Sequence, residues 1–352
     1  MAVDLGKLVA EVKENISIGE LDRRRVAIDA FNTIYQFISI IRGPDGTPLT
    51  DSKGRVTSHL SGLFYRTTSL LEQGVIPIYV FDGAPPVLKQ RTLEARANKR
   101  VEAQAEWEKA RAKGQLEEAR AFAVASSKIN KWMIDSSKEL LTHMGVPYIQ
   151  APSEGEAQAA MMVREKIVYA AASQDYDLFL FGADVIVRNL TITGKRKLPG
   201  KGIYINVEPE RIYLKKLLES LKLTREQLIW MGMLIGTDFN EGIEKVGPKT
   251  ALKIVNEHKS LGAIEKYVKE KYNKEFEVDP EEVEAIFMKP EALEIGADAL
   301  NEKIAKFVPS KEAILKFMCD EHEFSVDRIT KGAERLVALR QSSGQKGINS
   351  WL

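Results

Sequence analysis

Short apolar runs alternate with helical patterns through the first half of the chain, and this order constrains the fold more than any other feature. The runs cover residues 25–30, 75–82, 146–150, 167–173 and 178–182, and they are almost continuously apolar. Strands that are covered on both faces have this character. Helical patterns lie between most of the runs, at residues 31–42, 58–73 and 154–164. The order predicts an α/β fold with a mostly parallel central sheet flanked by helices.

The composition is that of an ordinary globular protein. Of 352 residues, 44% are hydrophobic and 29% are charged, which excludes a mostly disordered or fibrous chain. The 51 basic and 50 acidic residues give a formal net charge of +1, so any basic binding surface must be local. The single Cys319 excludes an intramolecular disulfide and favours a reducing compartment. No apolar stretch approaches the roughly 20 residues of a membrane span and no signal peptide is evident, so we expect a soluble, intracellular protein with no membrane partner. The sequence has no dimerisation signal, so we expect a monomer.

A long polar segment separates the second predicted strand from the third. Residues 88–113 are rich in Arg, Lys, Glu and Ala, and Gly114 interrupts the pattern before a second helical run that reaches about residue 144. The first helix alone would span about 37 Å. A helix that is polar almost all round either bridges solvent or covers something. A solvated hairpin and a cover over a site therefore both remain open.

The second half of the chain is mainly helical. A basic stretch at residues 188–202 precedes helical patterns at 209–221, 224–236, 249–257 and 261–272. Residues 274–298 are acidic and weakly patterned, which predicts irregular structure with one short helix, and two more helices are expected at 311–317 and 325–339. Residues 341–344 (QSSG) have the composition of a flexible linker.

Acidic residues stand where the predicted strands end. Two end the first and second strands, two open the helix after the third, two follow the fourth, and one follows an apolar helix. In chain order they are Asp29, Asp82, Glu154, Glu156, Asp175, Asp177 and Asp238. Because ligands bind beyond the carboxyl ends of the strands in an open parallel sheet, we expect the first six carboxylates to meet at one edge, whereas Asp238 stands where an apolar helix ends.

Each acidic residue also has a structural interpretation. Ser153 and Glu156 have the spacing of a capping box, and the pair Asp175 and Asp177 suits a turn or a helix cap. These interpretations fail jointly, because two carboxylates 5 Å apart repel by about 3 kcal/mol at an effective dielectric of 20. Oxygen ligands without nearby His or Cys select Mg²⁺ or Mn²⁺, and a cluster of this size suits two ions. The residues alone therefore indicate metal-dependent hydrolysis of phosphodiesters.

Basic and aromatic residues near the acidic cluster could meet a nucleic acid. Lys89 and Arg96 begin the polar segment, with Arg100 one turn further, and they could face the scissile phosphate. Tyr35 and Arg42 lie along the helix after the first strand and could offer a stacking surface and a phosphate contact. A solvated helix face for the cations and core packing for the tyrosine are the alternatives.

Residues 242–253 (GIEKVGPKTALK) have the pattern of a tight hairpin followed by a new helix. Such a turn presents backbone N–H groups of a helix N-terminus to a phosphate, which grips duplex DNA without reading its sequence. Gly242 and Gly247 lie in the turn, and Lys249 and Lys253 add charge on adjacent helical turns. An ordinary corner between two helices is the alternative.

Five motifs occur in order along the chain: VAIDA at 26–30, YVFDG-x-PP at 79–86, APSEGEA at 151–157, QDYD at 174–177 and GTDFN at 236–240. Together they resemble the structure-specific flap endonucleases of the archaeal and eukaryotic replication machinery, over essentially the whole chain. The resemblance implies a PIN-like 5′ nuclease fold. It also implies a 5′ flap endonuclease with 5′→3′ exonuclease activity that trims displaced 5′ strands of branched DNA in replication and repair.

The resemblance gives the candidate residues specific roles. The seven carboxylates would hold two Mg²⁺ ions, with Mn²⁺ as a substitute, and Lys89 and Arg96 would be catalytic cations that face the phosphate. Residues 88–144 resemble the family's helical arch, through which a free 5′ single strand passes. Residues 236–257 resemble its helix–hairpin–helix element, which holds the downstream duplex and often a K⁺ ion. The family acts in the cytoplasm of archaea and in the nucleus of eukaryotes.

The resemblance also implies a domain organisation and a second partner. We expect one 5′ nuclease domain over residues 1–340, with an N-terminal nuclease region at about 1–100, an internal nuclease region at 145–260, and a flexible tail at 341–352. The tail is similar to the box by which such enzymes bind the DNA sliding clamp, with Gln345, Ile348, Trp351 and Leu352 at the matching positions. Clamp binding would raise the enzyme's local concentration at a junction. A frayed tail is the alternative.

Three positions depart from the family pattern. Ala2 stands where a glycine is usual, Ala84 where a lysine is common, and Lys245 where a hairpin glycine is common, which bears on potassium binding and on the turn geometry. None of them is a proposed metal ligand. Two other functions remain open: a related 5′ nuclease that prefers other junctions or RNA, and a non-catalytic, clamp-tethered binder of DNA junctions.

Overall fold

The computed structural model describes residues 3–43, 46–192, 194–197 and 204–345. Its strands β1 to β9 are, in chain order, Glu14–Asn15, Arg25–Asp29, Ile76–Phe81, Tyr148–Gln150, Ala170–Ala172, Val185–Arg188, Gly194–Lys197, Tyr204–Val207 and Glu210–Tyr213. Seven of them form one sheet in the order β1-β9-β6-β5-β2-β3-β4, and β7 pairs with β8 separately. Strands β2 to β6 run parallel, whereas β9 pairs antiparallel with β6 and with β1 at one edge.

The described α-helices follow the same alternation in the first half of the chain and dominate the second. Helices α1 to α16 are, in chain order, Gly6–Val9, Ala30–Ile40, Ser58–Glu72, Gln90–Ala112, Leu116–Ala125, Lys131–His143, Gly155–Arg164, Asp177–Leu180, Leu214–Leu221, Arg225–Ile235, Pro248–Glu257, Leu261–Tyr272, Pro280–Met288, Ala297–Lys306, Lys311–Leu315 and Val326–Gln345. The α/β fold with a mostly parallel sheet is confirmed.

Helices cover both faces of this sheet, as the apolar strands require. Val26 and Ile28 of β2 pack in a core with helices α2, α3, α6, α15 and α16, whereas Ala27 packs in a second core with helices α7 to α14. Successive side chains of a strand point to opposite faces, so a strand between two helical layers must be apolar throughout. All three residues are fully buried.

The polar segment forms a helical hairpin that projects from the sheet. Helices α4 and α5 pack against each other through small side chains, and Ala110, Ala119 and Ala123 are buried there. The 23 residues of α4 correspond to about 35 Å. Val101 on this helix is 70% exposed. The hairpin therefore contributes little to the core, as its polar sequence predicts.

Two predicted elements are wrong. Residues 178–182, expected as the fifth strand, begin within helix α8, and the strand that completes the parallel set is β6. A short apolar run is compatible with a buried strand or with a buried helix. Leu178, Phe179 and Leu180 are fully buried, so their apolar character does not distinguish the two. Residues 209–221, expected as one helix, begin with strand β9, which pairs with β6 before helix α9 starts.

The end of the described chain also differs from expectation. Helix α16 continues to Gln345, so the backbone at 341–345 is helical where the sequence predicts a linker. Extending an existing helix adds a hydrogen bond for each residue that is fixed, which outweighs the weak preferences of Ser and Gly. Residues 274–298 contain the one short helix predicted, α13, before α14 begins at Ala297. Among the described helices, none is both long enough and apolar enough to cross a bilayer.

Candidate active site

The parallel strands bring Asp29, Asp82 and the start of helix α7 to one edge of the sheet. Strand β2 pairs with both β3 and β5, so the carboxyl ends of the three strands are neighbours. Asp29 caps helix α2, because its Oδ1 accepts a hydrogen bond from the N–H of Asn32 at 2.9 Å. Asp82 Oδ1 accepts from the N–H of Gly155 at 2.8 Å, which ties the end of β3 to the start of α7.

Glu154 and Glu156 open helix α7 at the same edge. No side-chain hydrogen bond caps α7, all of whose residues are described, so the capping-box interpretation of Ser153 and Glu156 is wrong. Instead, the hydroxyl of Ser173 lies 3.1 Å from Glu156 Oε1 and 3.1 Å from Asp29 Oδ2. A hydroxyl has one proton, so it can donate to only one of them at a time. Ser173 thus joins carboxylates that are far apart in the sequence.

Asp175 and Asp177 lie in the turn between β5 and α8. Asp175 Oδ2 accepts a hydrogen bond from Asn32 Nδ2 at 3.1 Å. Asp177 is 3% exposed, and its Oδ1 accepts from the N–H of Val3 at 2.8 Å. Neither side chain caps the helix that follows. Both carboxylates are therefore held by distant segments, which the helix-cap interpretation does not explain.

Asp238 joins the cluster through two cations of the polar hairpin. Lys89 Nζ lies 3.3 Å from Asp238 Oδ2 and also contacts Glu154 Oε2. Arg96 contacts Asp238 Oδ1. The ammonium of Lys89 thus bridges the start of α7 and the segment after α10. Both catalytic candidates from the hairpin lie at the carboxylates, at the base of the helical hairpin.

Burial raises the pKa values of several carboxylates in the cluster. Burial and repulsion from Asp82 raise the pKa of Asp29 from 3.8 to about 8. Burial raises the pKa of Asp177 to about 7. Burial and repulsion from Glu154 raise the pKa of Asp82 to about 6. The cluster therefore holds more negative charge than its own surroundings compensate.

The least compensated part of the cluster lies around the Asp175 turn. Burial and repulsion from Asp175 hold the pKa of Glu156 well above its usual value, and burial and repulsion from Asp238 raise the pKa of Asp175. Asp29, Glu156, Asp175 and Asp177 form no ion pair with any described lysine or arginine. Lys89 acts on Glu156, and Arg96 and Arg188 act on Asp175, only from a distance, and both pKa values stay raised. Buried carboxylates whose charge is only partly offset are costly, so this part of the cluster has the character of a cation site.

The part of the cluster near the hairpin is compensated by protein cations. Burial would raise the pKa of Asp238, but the charges of Lys89 and Arg96 outweigh it and lower that pKa. Burial would lower the pKa of Lys89, but Glu154 and Asp238 outweigh it and raise that pKa. The acidic neighbours of Lys89 therefore favour its charged form.

The donor set fits hard divalent cations. All seven candidate ligands are carboxylates, and Mg²⁺ and Mn²⁺ prefer oxygen ligands. In the described part of the chain, no three acidic, His or Cys side chains are gathered in the spacing of a complete ligand set. The fit therefore rests on the chemistry and the uncompensated charge of the donors.

The predicted DNA-contacting residues of the first half have different surroundings. Tyr35 lies in α2 and is partly buried, and Arg100 lies in α4 and is partly exposed. The guanidinium of Arg42 donates to the carbonyls of Ile38 and Gly46 and to Ser127 Oγ, each at 2.7 Å. Arg42 therefore joins the end of α2 to the segment after α5. A DNA phosphate that bound Arg42 would share its guanidinium with these three acceptors.

The predicted hairpin lies between helices α10 and α11. A Cβ at Gly242 would lie 2.1 Å from the carbonyl oxygen of Ile235, so the two backbones approach closely there. Gly247 is the N-cap residue of α11, and Lys249 and Lys253 are exposed on its first turns. Lys245 keeps a left-handed backbone with φ of +68°. The turn geometry is thus present, although Lys245 lacks the freedom of glycine to adopt a positive φ without strain.

Most of the predicted clamp-binding residues lie outside the part of the chain that the structure describes. Gln345 is the last residue of α16, and Ile348, Trp351 and Leu352 lie outside the described residues.

Sequence reasoning missed three residues that order the site, namely Asn32, Ser173 and Arg188. Asn32 and Ser173 bind the carboxylates through their side chains, as described above. Arg188 lies at the end of β6 and contacts the Asp175 turn. The available signal was position: Ser173 ends the strand before the turn, and Asn32 stands three residues after Asp29.

Two family descriptions match the segments that contain these carboxylates. Residues 1–103 match the XPG N-terminal domain, and residues 145–238 match the XPG I-region. The first segment includes Asp29 and Asp82, and the second includes the other five carboxylates. Fold and site together define a DNA nuclease of the XPG class.

Relatives of the chain narrow this class. Flap endonuclease 1 of Pyrococcus furiosus is 48% identical, over 100% of this chain and 99% of the relative. That of Saccharolobus solfataricus is also 48% identical, over 99% of this chain and 100% of the relative. The solved flap endonuclease-1 from Methanococcus jannaschii matches with a TM-score of 0.74 at 36% identity, over 97% of this chain and 99% of that one. The chain belongs to the flap endonuclease family, whose members are metal-dependent nucleases that cut branched DNA.

Proposed function

We propose that this chain hydrolyses a phosphodiester near the single-strand/duplex junction of a 5′ flap with two Mg²⁺ ions, for which Mn²⁺ can substitute. We include 5′→3′ exonuclease activity in the proposal. One observation carries it: buried carboxylates with raised pKa values, whose charge protein cations offset only in part, lie at one sheet edge, beside Lys89 and Arg96 at the base of a polar helical hairpin.

The carboxylates of the sheet edge would hold the two ions. They are Asp29, Asp82, Glu154, Glu156, Asp175, Asp177 and Asp238. A bound divalent ion activates water and offsets the charge that develops on the phosphate. The raised pKa values support this ligand set, because burial and mutual repulsion make the ionised carboxylates costly and bound cations would offset that charge.

Lys89 and Arg96 would orient the scissile phosphate and offset its charge. In the structure they contact Glu154 and Asp238. When DNA enters, they would exchange these carboxylates for phosphate oxygens, which form hydrogen bonds of similar, charge-assisted strength. The exchange would leave Glu154 and Asp238 available to the ions at the moment when substrate arrives.

The helical hairpin would guide the single strand of the flap. Its α4 helix is polar, carries Arg100, and begins at the carboxylates. A bulky block on the 5′ end, added before the enzyme, should therefore slow cleavage. Equal rates with and without the block would remove passage through the hairpin from the proposal.

The duplex would be held by the helix–hairpin–helix and by α2. The N-terminus of α11 offers backbone N–H groups, and exposed lysines follow on its first turns. A K⁺ ion at this hairpin is part of the proposal. The residues assigned to DNA are Tyr35, Arg42, Arg100, Gly242, Gly247, Lys249 and Lys253.

The first test is single-turnover cleavage of an end-labelled 5′-flap duplex in Mg²⁺ or in EDTA. We expect cutting near the flap base in Mg²⁺ only, and a loss of about 100-fold or more in Asp177→Ala, since a lost ligand removes several kcal/mol of transition-state stabilisation. Asp184→Ala is the matched control, because Asp184 is an exposed aspartate just before β6. Binding without cutting in Mg²⁺ or Mn²⁺ would favour the junction-binder function.

A second comparison addresses the substrate. Flap, bubble, nicked and blunt duplexes, with an RNA analogue of the flap, are cleaved at one salt concentration, because salt changes affinity for every nucleic acid. We expect the 5′ DNA flap to be cut fastest. Faster cutting of a bubble or of RNA would move the chain to a related 5′ nuclease activity.

We propose further that Gln345, Ile348, Trp351 and Leu352 bind the DNA sliding clamp and that the enzyme acts inside the cell as a monomer. Ile348 and Trp351 would enter a hydrophobic pocket on the clamp. Deleting residues 345–352 should abolish stimulation by the clamp and leave unstimulated cleavage unchanged. Undiminished stimulation would place the contact elsewhere on the chain.

A further inference from the structure

Arg188 contacts the 174–177 turn, which carries two of the seven carboxylates. It lies at the end of β6, and β6 pairs in parallel with β5, so its side chain reaches the turn that follows β5. Its Nε donates to the carbonyl of Gln174 at 3.2 Å, and one terminal nitrogen donates to the hydroxyl of Tyr176. The guanidinium carbon also lies 4.3 Å from the centre of the Tyr176 ring. One planar group therefore holds both residues that precede Asp175 and Asp177.

Arg188 is itself held in place from the other side. Glu210 lies directly opposite it on β9, and its Oε2 is 3.4 Å from the guanidinium. The other oxygen of Glu210 accepts from Lys13 Nζ at 2.6 Å. The side chains of Arg188 and Glu210 are only 21% and 14% exposed. This arrangement fixes the direction in which the guanidinium can donate.

Apart from those of Arg188, the side-chain hydrogen bonds that the structure describes hold this turn through its two carboxylates and through the N–H of Asp175, which donates to Ser173 Oγ at 3.2 Å. Asp175 and Asp177 are held by Asn32 and by the N–H of Val3, as described above. Repulsion within the cluster tends to displace the two carboxylates, because neither forms an ion pair with a described lysine or arginine and the charges of Arg96 and Arg188 offset the repulsion at Asp175 only in part. A clamp on Gln174 and Tyr176 opposes that displacement.

We propose that Arg188 is a positioning residue, which holds the 174–177 turn through Gln174 and Tyr176 so that Asp175 and Asp177 face the ions of the active site. This inference rests on the proposed function, because it concerns ligands of the proposed ions. The hydrogen bonds of Arg188 go to Gln174 and Tyr176 and not to either ligand carboxylate, so it orients the segment that carries them; its charge also lowers the pKa of Asp175, which is why a variant that keeps the charge is part of the test. Groups that orient metal ligands in this way contribute about 10- to 100-fold to metal affinity in other proteins.

The test measures metal binding without DNA. Free Mn²⁺ is followed by electron paramagnetic resonance during titration of wild type, Arg188→Gln and Arg211→Gln. Arg211 is the matched control: its guanidinium pairs with Glu14 at 3.0 Å and lies over Tyr213, but it does not touch the 174–177 turn. We expect Arg188→Gln to weaken the Mn²⁺ affinity by about 10-fold or more and Arg211→Gln to leave it unchanged.

Two more variants separate geometry from charge and from folding. Arg188→Lys keeps the charge but lacks the planar fork, so it should not restore Mn²⁺ affinity. Tyr176→Phe keeps the ring but removes the hydroxyl acceptor, so it should weaken Mn²⁺ binding less than Arg188→Gln does. Flap cleavage by Arg188→Gln should recover as Mg²⁺ is raised, and flap affinity in EDTA should equal that of wild type.

The possible outcomes separate the positioning role of Arg188 from the proposed nuclease function on which it rests. If wild type binds Mn²⁺ and cuts the flap while Arg188→Gln matches it in Mn²⁺ affinity, the positioning role is wrong and the proposed function stands. Equal losses in Arg188→Gln and Arg211→Gln, or full rescue by Arg188→Lys, would also overturn it. If wild type itself neither binds Mn²⁺ nor cuts, the proposed function fails and the inference fails with it.

Discussion

Replacing Asp29 with asparagine should stabilise the metal-free protein at alkaline pH while abolishing cleavage. Asp29 is 5% exposed, and burial with repulsion from Asp82 raises its pKa from 3.8 to about 8. A carboxyl whose pKa is raised in the folded state binds its proton more tightly there than in the unfolded chain. Its contribution to stability is complete below pH 3.8 and is lost as pH rises toward 8.

The expected size follows from the pKa of the folded state. In this range, each pH unit costs about 1.4 kcal/mol of unfolding free energy for one such group. Between pH 6.5 and pH 8, Asp29 alone therefore costs about 2 kcal/mol, a large share of the roughly 5–15 kcal/mol that stabilises a typical domain. Asparagine keeps an oxygen that can accept from the N–H of Asn32 and carries no charge. The substitution removes this pH-dependent loss.

The assay is urea unfolding in EDTA at pH 6.5 and at pH 8.5, for wild type and Asp29→Asn. Buried His59, whose pKa is lowered to about 3 by burial, contributes equally to both proteins and cancels in the comparison. We expect wild type to lose at least about 2 kcal/mol more than the variant between the two pH values. Mg²⁺ should restore wild type at pH 8.5 and affect the variant less.

Equal pH dependence in the two proteins would refute the reasoning. It would mean that Asp29 is ionised in the folded protein at neutral pH and that other groups compensate its charge. Retained flap cleavage by Asp29→Asn would separately refute its role as a ligand.

Three other changes test the site and its frame. Lys89→Met should slow single-turnover flap cleavage by about 100-fold or more, since it removes a preorganised charge at the phosphate. Flap affinity in EDTA should change little, and an unchanged cleavage rate would exclude Lys89 from the reaction. Gly83→Ala places a Cβ 2.3 Å from the carbonyl oxygen of Ala151, so the melting temperature and the activity of the variant should both fall. Wild-type values would show that the backbone at Ala151 moves to accommodate the methyl group. Lys245→Gly relieves a φ of +68° and should stabilise the protein by about 0.5–1 kcal/mol in thermal unfolding, whereas a lower melting temperature would show that the lysine side chain contributes more than the strain costs.

Much of the candidate site could be predicted from the sequence because its residues follow strand ends. In a parallel sheet the carboxyl ends of strands share an edge, so Asp29, Asp82 and the Asp175 turn had to be neighbours once the strands were recognised. Asp238 was less constrained by this argument, since it follows a helix. The structure brings it to the cluster through Lys89 and Arg96.

The failures of prediction also have physical causes. A short apolar run such as residues 178–182 is compatible with a strand or a buried helix, and only the packing around it decides which forms. Strand β9 became a strand because β6 offered it an open edge, which is a tertiary condition. Ser153 and Glu156 have capping-box spacing, yet Glu156 accepts from Ser173 instead, because the fold places that hydroxyl within reach.

The sequence by itself determined the α/β architecture, the sheet edge where acidic residues gather, and the polar character of the hairpin, because these depend on periodicity and on residue type. Only the tertiary structure decided how the charge in the cluster is divided. Lys89 and Arg96 form ion pairs with Glu154 and Asp238, whereas Asp29 and its neighbours form none with a described lysine or arginine. That division depends on distances of a few ångströms between segments up to about 200 residues apart, and electrostatic interactions change steeply over such distances.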